Sequence, residues 1–308
     1  MSPFVPVPAD APLRLLTVHA HPDDEASKGA STVAQLHSEG VHCVLVCCTG
    51  GEAGDVLNPA MDVPEVHADL PGVREAELAR AAEIVGYDEV VMLGYRDSGM
   101  KDSEHNARAD AFANADQDEA VGRLVAIIRR VRPQVVVTYP DARGEYDHPD
   151  HVQVHDISVP AFHAAGDPGR YPEAGPAWQP SKLYYTMWSR ARIAGLHEKF
   201  LELGIESPYD EWWFKRPSRD HLITTQVPIG EHWDVRGDAL RAHATQIDPA
   251  SPFWFGLPDD VARTVHPFDD YRLEACCLDG RPVDSSTYLP TGGLEEDLFA
   301  GLRAEVSA

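Results

Sequence analysis

Short apolar runs alternate with amphipathic segments through the first two thirds of the chain, and this alternation limits the possible folds more than any other feature. Leu13–Val18, Val41–Cys48, Glu89–Leu93, Val135–Tyr139 and Lys182–Met187 are too short for buried helices and read as strands. Between them, helical spacing appears three times in full. The first helix spans Lys28–Ser38, capped by Ser27 and ended by Gly40. The second spans Arg74–Val85, with Leu78, Ala81, Ala82 and Val85 as its apolar stripe and Gly86 as its stop. The third spans Ala120–Val131, and a further helix begins near His148 and runs toward Ala165. Strands and helices in this order predict an α/β fold, a mostly parallel sheet with helices on both faces. Past Ser189, prolines and aromatics such as Trp212, Trp213, Trp233 and Trp254 replace the pattern. The expected organisation is an extended or disordered N-terminus over 1–12, an α/β core over 13–188 that carries any catalytic site, and an irregular C-terminal cap over 189–308 completing the same domain. The acidic, alanine-rich stretch Ala107–Glu119 reads as a mobile loop.

Open α/β sheets bind ligands outside the carboxyl ends of their strands. That rule selects His19–Glu25, Thr49–Met61, Gly94–Met100 and Tyr139–His151, where most of the unusual polar residues lie. Fifty acidic against 26 basic side chains give a net charge of −24, which argues against nucleic acid and anionic membranes as partners. The partner expected is a small molecule. The five cysteines, Cys43, Cys47, Cys48, Cys276 and Cys277, show neither a zinc-ribbon spacing nor a disulfide framework. The N-terminus lacks the basic start and apolar core of a signal peptide, and no segment is long and apolar enough for a bilayer. A reducing cytoplasm fits this pattern, and an oligomeric state is not written in it.

Two of the selected loops carry metal-ligand chemistry. His21-Pro22-Asp23-Asp24-Glu25 follows the first strand, and the proline fixes the backbone between histidine and acids so that His21 and Asp24 can grip one ion. Tyr146-Asp147-His148-Pro149-Asp150-His151 follows the fourth strand, with two histidines three residues apart. On a helix they share a face, so that one binds metal while the other meets substrate. Two histidines and a carboxylate form a catalytic zinc set with a position left for water, and Fe²⁺ suits the same ligands.

With these residues the chain resembles the LmbE-like, or PIG-L-like, family of zinc N-deacetylases and amidases. His19-Ala20-His21-Pro22-Asp23-Asp24-Glu25-Ala26-Ser27-Lys28-Gly29, Leu57-Asn58-Pro59-Ala60-Met61-Asp62, Asp97-Ser98-Gly99-Met100 and Leu240-Arg241-Ala242-His243-Ala244-Thr245-Gln246 are the more specific stretches. They are similar to the mycothiol S-conjugate amidase branch and, less closely, to its sister deacetylases; Lys28 and Asn58–Asp62 favour the amidases. The resemblance implies a Rossmann-like fold and a zinc-dependent hydrolase. It implies His21, Asp24 and His151 as metal ligands and Asp23 as general base. Tyr146 and His148 correspond to groups that stabilise the oxyanion and handle the leaving amine, Asp150 to the acid that tunes that histidine, and Asp97 to a sugar-hydroxyl contact. Lys28, Glu52, Asp55, Arg74 and His243 are expected to line the substrate site. One departure stands out: the related amidases usually carry arginine where this chain has Ala53 and glutamate where it has Asp55. Amidase, biosynthetic N-deacetylase and tailoring amidase on another thiol conjugate are therefore the enzymatic readings. A sugar-binding module without catalysis is the remaining one, although the ligands and the base are all present.

Overall fold

The computed structural model describes residues 12–144, 146–278, 281–283 and 293–303. Nearly all of the expected N-terminal segment, and much of the end of the cap region, lie outside these residues. Strands β1 (Arg14–His19), β2 (His42–Thr49), β3 (Glu89–Tyr95), β4 (Val135–Thr138) and β5 (Lys182–Met187) coincide with the five apolar runs to within one or two residues. Three more, β6 (Thr225–Pro228), β7 (Phe268–Leu278) and β8 (Arg281–Val283), come from the C-terminal part. All eight form one sheet, in the order β3-β2-β1-β4-β5-β7-β6, with β8 paired to β7. The first five are parallel, and β7 joins β5 antiparallel.

Successive strand residues face opposite sides, and both sides are covered. Leu15, Cys43, Leu45, Cys47, Val135 and Val137 pack beneath Val33, Leu36, Leu78, Ala81 and Val85. Their neighbours Leu16, Val44, Val46, Cys48 and Val136 pack against Leu124, Ile128, Val154, Ile157 and Ala161. Buried on both faces, these strands lack the alternation of a half-exposed sheet, which is why they read as continuous apolar runs.

Helix boundaries depart from the sequence reading where glycine and proline intervene. Ser27 does not cap the first long helix. It closes a single turn, Asp24–Ser27, and its hydroxyl donates to the Asp24 carbonyl (3.2 Å). The helix proper, Ala30–Ser38, starts after Gly29, whose φ is +93° and whose added Cβ would meet the Tyr271 hydroxyl at 2.6 Å. The second helix begins at Leu70, not Arg74, because Pro71 suits a first turn and Asp69 accepts from the Gly72 N–H (3.2 Å). Gly86 ends it in the left-handed conformation, as the sequence predicts. The later helices are Gln117–Val131 and Pro149–Ala165.

The stretch expected to be a mobile loop is instead anchored. Ala111 bridges to Arg96, and Phe112 is fully buried and stacked on Tyr95 with ring centroids 5.0 Å apart. The next residue, Ala113, donates its N–H to the Ser98 hydroxyl (2.9 Å). Phe112→Ala should therefore lower stability by about 3–5 kcal/mol. Urea denaturation reads this as a lower midpoint at unchanged slope; an unchanged midpoint would show that the anchor is not part of the cooperative fold.

Candidate metal centre

Strand β1 ends at His19, and the chain turns at once through His21, Pro22 and Asp23 into the Asp24–Ser27 turn. Asp23 sits at φ 112°, a left-handed backbone that a residue with a Cβ rarely adopts. Its N–H donates to Glu25 Oε2 (3.0 Å), and its Oδ2 accepts from Arg74 Nη2 (3.2 Å). Backbone strain of this kind costs about 1–3 kcal/mol and concentrates at functional sites. The second cluster rides on the Pro149–Ala165 helix. His148 is the N-cap, its Nδ1 accepting from the Asp150 N–H (3.3 Å), and Pro149 occupies the first turn.

These two elements bring together one ligand atom each from His21, Asp24 and His151, all within 4.8 Å of one another and all buried. Asp24 Oδ2 lies 3.4 Å from His21 Nδ1 and 3.3 Å from His151 Nε2. The other ring nitrogen of His21, Nε2, faces Asp150 Oδ2 at 3.1 Å and Asp97 Oδ1 at 3.6 Å. A carboxylate on the far nitrogen of a ligating histidine fixes the ring and raises its basicity. Two imidazoles and one carboxylate, so supported, fit a divalent ion of the zinc or ferrous class. His21, Asp97 and His148 form a second, overlapping group.

The electrostatics are those of charges removed from water. Burial pushes His151 down to about 4, against the attraction of Asp24. Burial and the Asp24 charge push Asp23 up to about 6, with Arg74 and His243 opposing. Despite burial, His151 and Lys28 hold Asp24 well below the usual carboxylate range. Burial lowers His148, the neighbouring His21 lowers it further, and Asp150 opposes both.

Most of the residues singled out by sequence meet here, several in different tasks. The Asp150 carboxylate does not grip the His148 ring. It accepts from His21, from the Ser98 N–H (2.9 Å) and from the Ser98 hydroxyl, between the loops that follow β1 and β3. Asp97 is buried with both oxygens engaged, Oδ1 by the Gly99 N–H (2.8 Å) and Oδ2 by the Ala53 N–H (3.2 Å). It ties the rim loop to His21 instead of offering itself to a sugar hydroxyl. Lys28 is ion-paired with Asp24. Glu52 accepts the Asp97 N–H (3.0 Å). Arg74 is buried beneath Asp23 and also donates to the carbonyls of Pro22 (2.7 Å) and Gly51 (2.5 Å). His243 is fully buried against Glu25 (2.5 Å). The Asp55 side chain is exposed, and its carbonyl is held by Gln246 (3.0 Å). Tyr146 stands at the mouth, 51% exposed, its ring edge-on to His151 at 5.1 Å.

Sequence reasoning left Glu25, Ser98 and Tyr139 without roles. Glu25 links His243 to the Asp23 backbone. The Tyr139 ring stacks on His151 at 4.7 Å, and its hydroxyl accepts from the Ala20 N–H (3.1 Å). Glu25 and Ser98 lay inside stretches already marked as specific; Tyr139 had only its place at the end of β4 as a signal.

Comparison with known proteins agrees with this geometry. Residues 16–162 match the family model described as PIG-L, GlcNAc-PI de-N-acetylase. The chain is 42% identical to a mycothiol S-conjugate amidase of Streptomyces coelicolor over 94% of its own length and 98% of that protein's. It is 41% identical to a 1D-myo-inositol 2-acetamido-2-deoxy-alpha-D-glucopyranoside deacetylase of Geodermatophilus obscurus, with the same two coverages. The N,N'-diacetylchitobiose deacetylase of Pyrococcus horikoshii shares the fold, with TM-score 0.57 and 17% identity over 85% of this chain and 83% of that one. A near full-length likeness of this degree makes the chain a hydrolase of the PIG-L family.

Proposed function

We propose that the chain hydrolyses the amide of a mycothiol S-conjugate, releasing an N-acetylcysteine conjugate and a glucosaminyl-inositol, with a zinc or ferrous ion held by His21, Asp24 and His151. The observation that carries the reading is the buried His21–Asp24–His151 group with Asp23 beside it, on a chain 42% identical to an amidase of that name. An ion held by these three side chains would supply Lewis acidity. Asp23 takes the proton of the attacking water. Its carboxylate is aimed by Arg74 and its backbone is pinned by Glu25, while burial and the Asp24 charge push it up to about 6. His148 accepts the Asp150 N–H at Nδ1, so its neutral ring carries the proton on Nε2 and donates there to the oxyanion or the departing amine. Tyr146 adds a phenol donor at the mouth.

Deacetylation of an N-acetylglucosaminide is the second reading, favoured by the 41% identity to a deacetylase. Lys28 and Asn58–Asp62 favour the amidase. Asn58 is buried, and its side chain donates to the Ala244 carbonyl (2.9 Å), next to His243 in the chain. The five cysteines are free and buried, which supports a reducing compartment, and no helix among the described residues is long and apolar enough to cross a membrane.

Chelation should abolish amide hydrolysis and Zn²⁺ or Fe²⁺ restore it, while His21→Ala and His151→Ala lose bound metal by elemental analysis; full turnover by metal-free protein defeats the assignment. Asp23→Asn should keep its metal and lose about 10²–10⁴-fold in kcat, and stoichiometric metal loss would make Asp23 a ligand instead. Turnover of a mycothiol S-conjugate against an N-acetylglucosaminyl-inositol decides between the two readings, the larger kcat/KM naming the function. On the conjugate, Ala53→Arg should lower KM by about tenfold with little change in kcat, since a charged hydrogen bond is worth roughly 1.5–3 kcal/mol and the position is remote from the amide.

A further inference from the structure

A cavity of about 410 Å³ lies in the C-terminal part, outside the metal centre. Its size is within the range of about 300–1,000 Å³ usual for small-molecule pockets. Its walls are aromatic. Trp188 stacks on Phe253 with centroids 5.9 Å apart and planes at 11°, and Trp254 meets Trp188 edge-on at 6.1 Å. Ile193, Phe200, Tyr209 and Leu257 form the apolar cluster behind these rings.

Three arginines, Arg192, Arg236 and Arg241, line this box. The Arg190–Glu202 helix places Arg192 with its guanidinium 5.3 Å from the Trp188 ring. Arg236 pairs with Asp269, yet its Nε is buried without a partner. Arg192 is half-buried, and among the described residues its guanidinium has neither a hydrogen-bond acceptor nor an ion pair. The nearby acids are engaged elsewhere or exposed: Asp269 is taken by Arg236 and Thr32, Asp270 by His266 (2.8 Å) and Gln226 (2.8 Å), Asp234 by Arg263 (2.8 Å) and Asp238 by Arg241 (3.2 Å), while Asp259 is exposed at the start of its own helix. The charges of Asp269 and Asp270 still act on Arg192. Burial, and then the charge of Arg236, push Arg192 down to about 10. A cation partly withdrawn from water among aromatic rings, with no acceptor of its own chain, offers a place for an incoming anion.

A smaller void of about 10 Å³ lies between this box and the turn that carries Asp24. It is bounded by Ser27, Lys28 and Gly29 on one side and by Trp188, Arg192 and Arg236 on the other. The last three also line the large cavity, and Lys28 is the partner of Asp24.

We propose that the cavity receives the far end of the acyl half of the substrate, and that it takes a flat aromatic group bearing a carboxylate, the ring against Trp188 and the carboxylate on Arg192. The substrate class is then a thiol conjugate whose sulfur carries an anionic aromatic substituent. Its place on the substrate path rests on the amidase reading above; the binding of an aromatic carboxylate does not.

The probe is 2-naphthoate, followed by fluorescence of the cavity tryptophans and by calorimetry on the full chain. Saturable binding is expected, tighter than that of 2-naphthalenemethanol. Arg192→Gln should weaken naphthoate about tenfold or more and leave the neutral alcohol unaffected, while Arg192→Lys keeps part of the affinity. No saturable naphthoate binding, or equal affinity in wild type and Arg192→Gln, overturns the pocket. In turnover, the KM of a carboxynaphthylmethyl S-conjugate relative to that of an S-methyl conjugate should rise about tenfold in Arg192→Gln. An unchanged ratio removes the pocket from the substrate path. Naphthoate binding without hydrolysis of any thiol conjugate leaves the pocket standing and defeats the amidase reading instead.

Discussion

Asp24 is 3% exposed, and a carboxylate so buried is stable only where other groups replace its water. Here the replacements are the His21 N–H, the His21 and His151 rings and the Lys28 ammonium. Each requires support in turn. His21 is oriented by Asp150, Asp150 by Ser98, and Ser98 accepts the N–H of Ala113, next to the buried Phe112. The chain of dependence runs from a metal-ligand carboxylate to an aromatic ring in the core. Removing one partner of such a buried pair typically costs about 3–5 kcal/mol, because the other charge is left uncompensated. The same network that would hold an ion thus also decides whether the strand-end loops keep their shape.

Topology explains why the centre forms at this place. From β1 the chain builds outward through β2 and β3, then returns to the opposite side of β1 with β4. The crevice lies where the winding reverses, outside the carboxyl ends of β1 and β4. His21 and Asp24 follow β1, and His148 and His151 follow β4, so both clusters open into that one crevice.

The C-terminal part completes the site from the other side. His243 bonds Glu25, Thr245 donates to Glu77 through its N–H and its hydroxyl (both 2.7 Å), Gln246 holds the Asp55 carbonyl, and Ala244 receives Asn58. Four consecutive residues therefore fasten the rim loop, the Leu70–Val85 helix and the turn that carries Asp23. The strained φ of Asp23 survives because Arg74 and Glu25 fix it, and Glu25 in turn is fixed by His243.

The sequence by itself determined the five parallel strands: in the interior strands β1, β2 and β4, residues buried on both faces must be apolar without interruption, while the edge strand β3, half-exposed at Val90 and Met92, is marked by its β-branched, apolar run. It determined the stop at Gly86 through a left-handed backbone, and it marked both histidine-acid clusters by residue type and strand-end position. Local pattern could not give the helix start at Gly29, which depends on Tyr271 about 240 residues away. Nor could it give the true partners of Asp97, Asp150, Lys28 and Arg74. A carboxylate or guanidinium looks the same in a sequence whether it faces a ligand or its own chain. Only tertiary structure assigns the partner, because burial forces each charge onto the nearest group that can replace water. The order in which the strands are laid down decides which group that is.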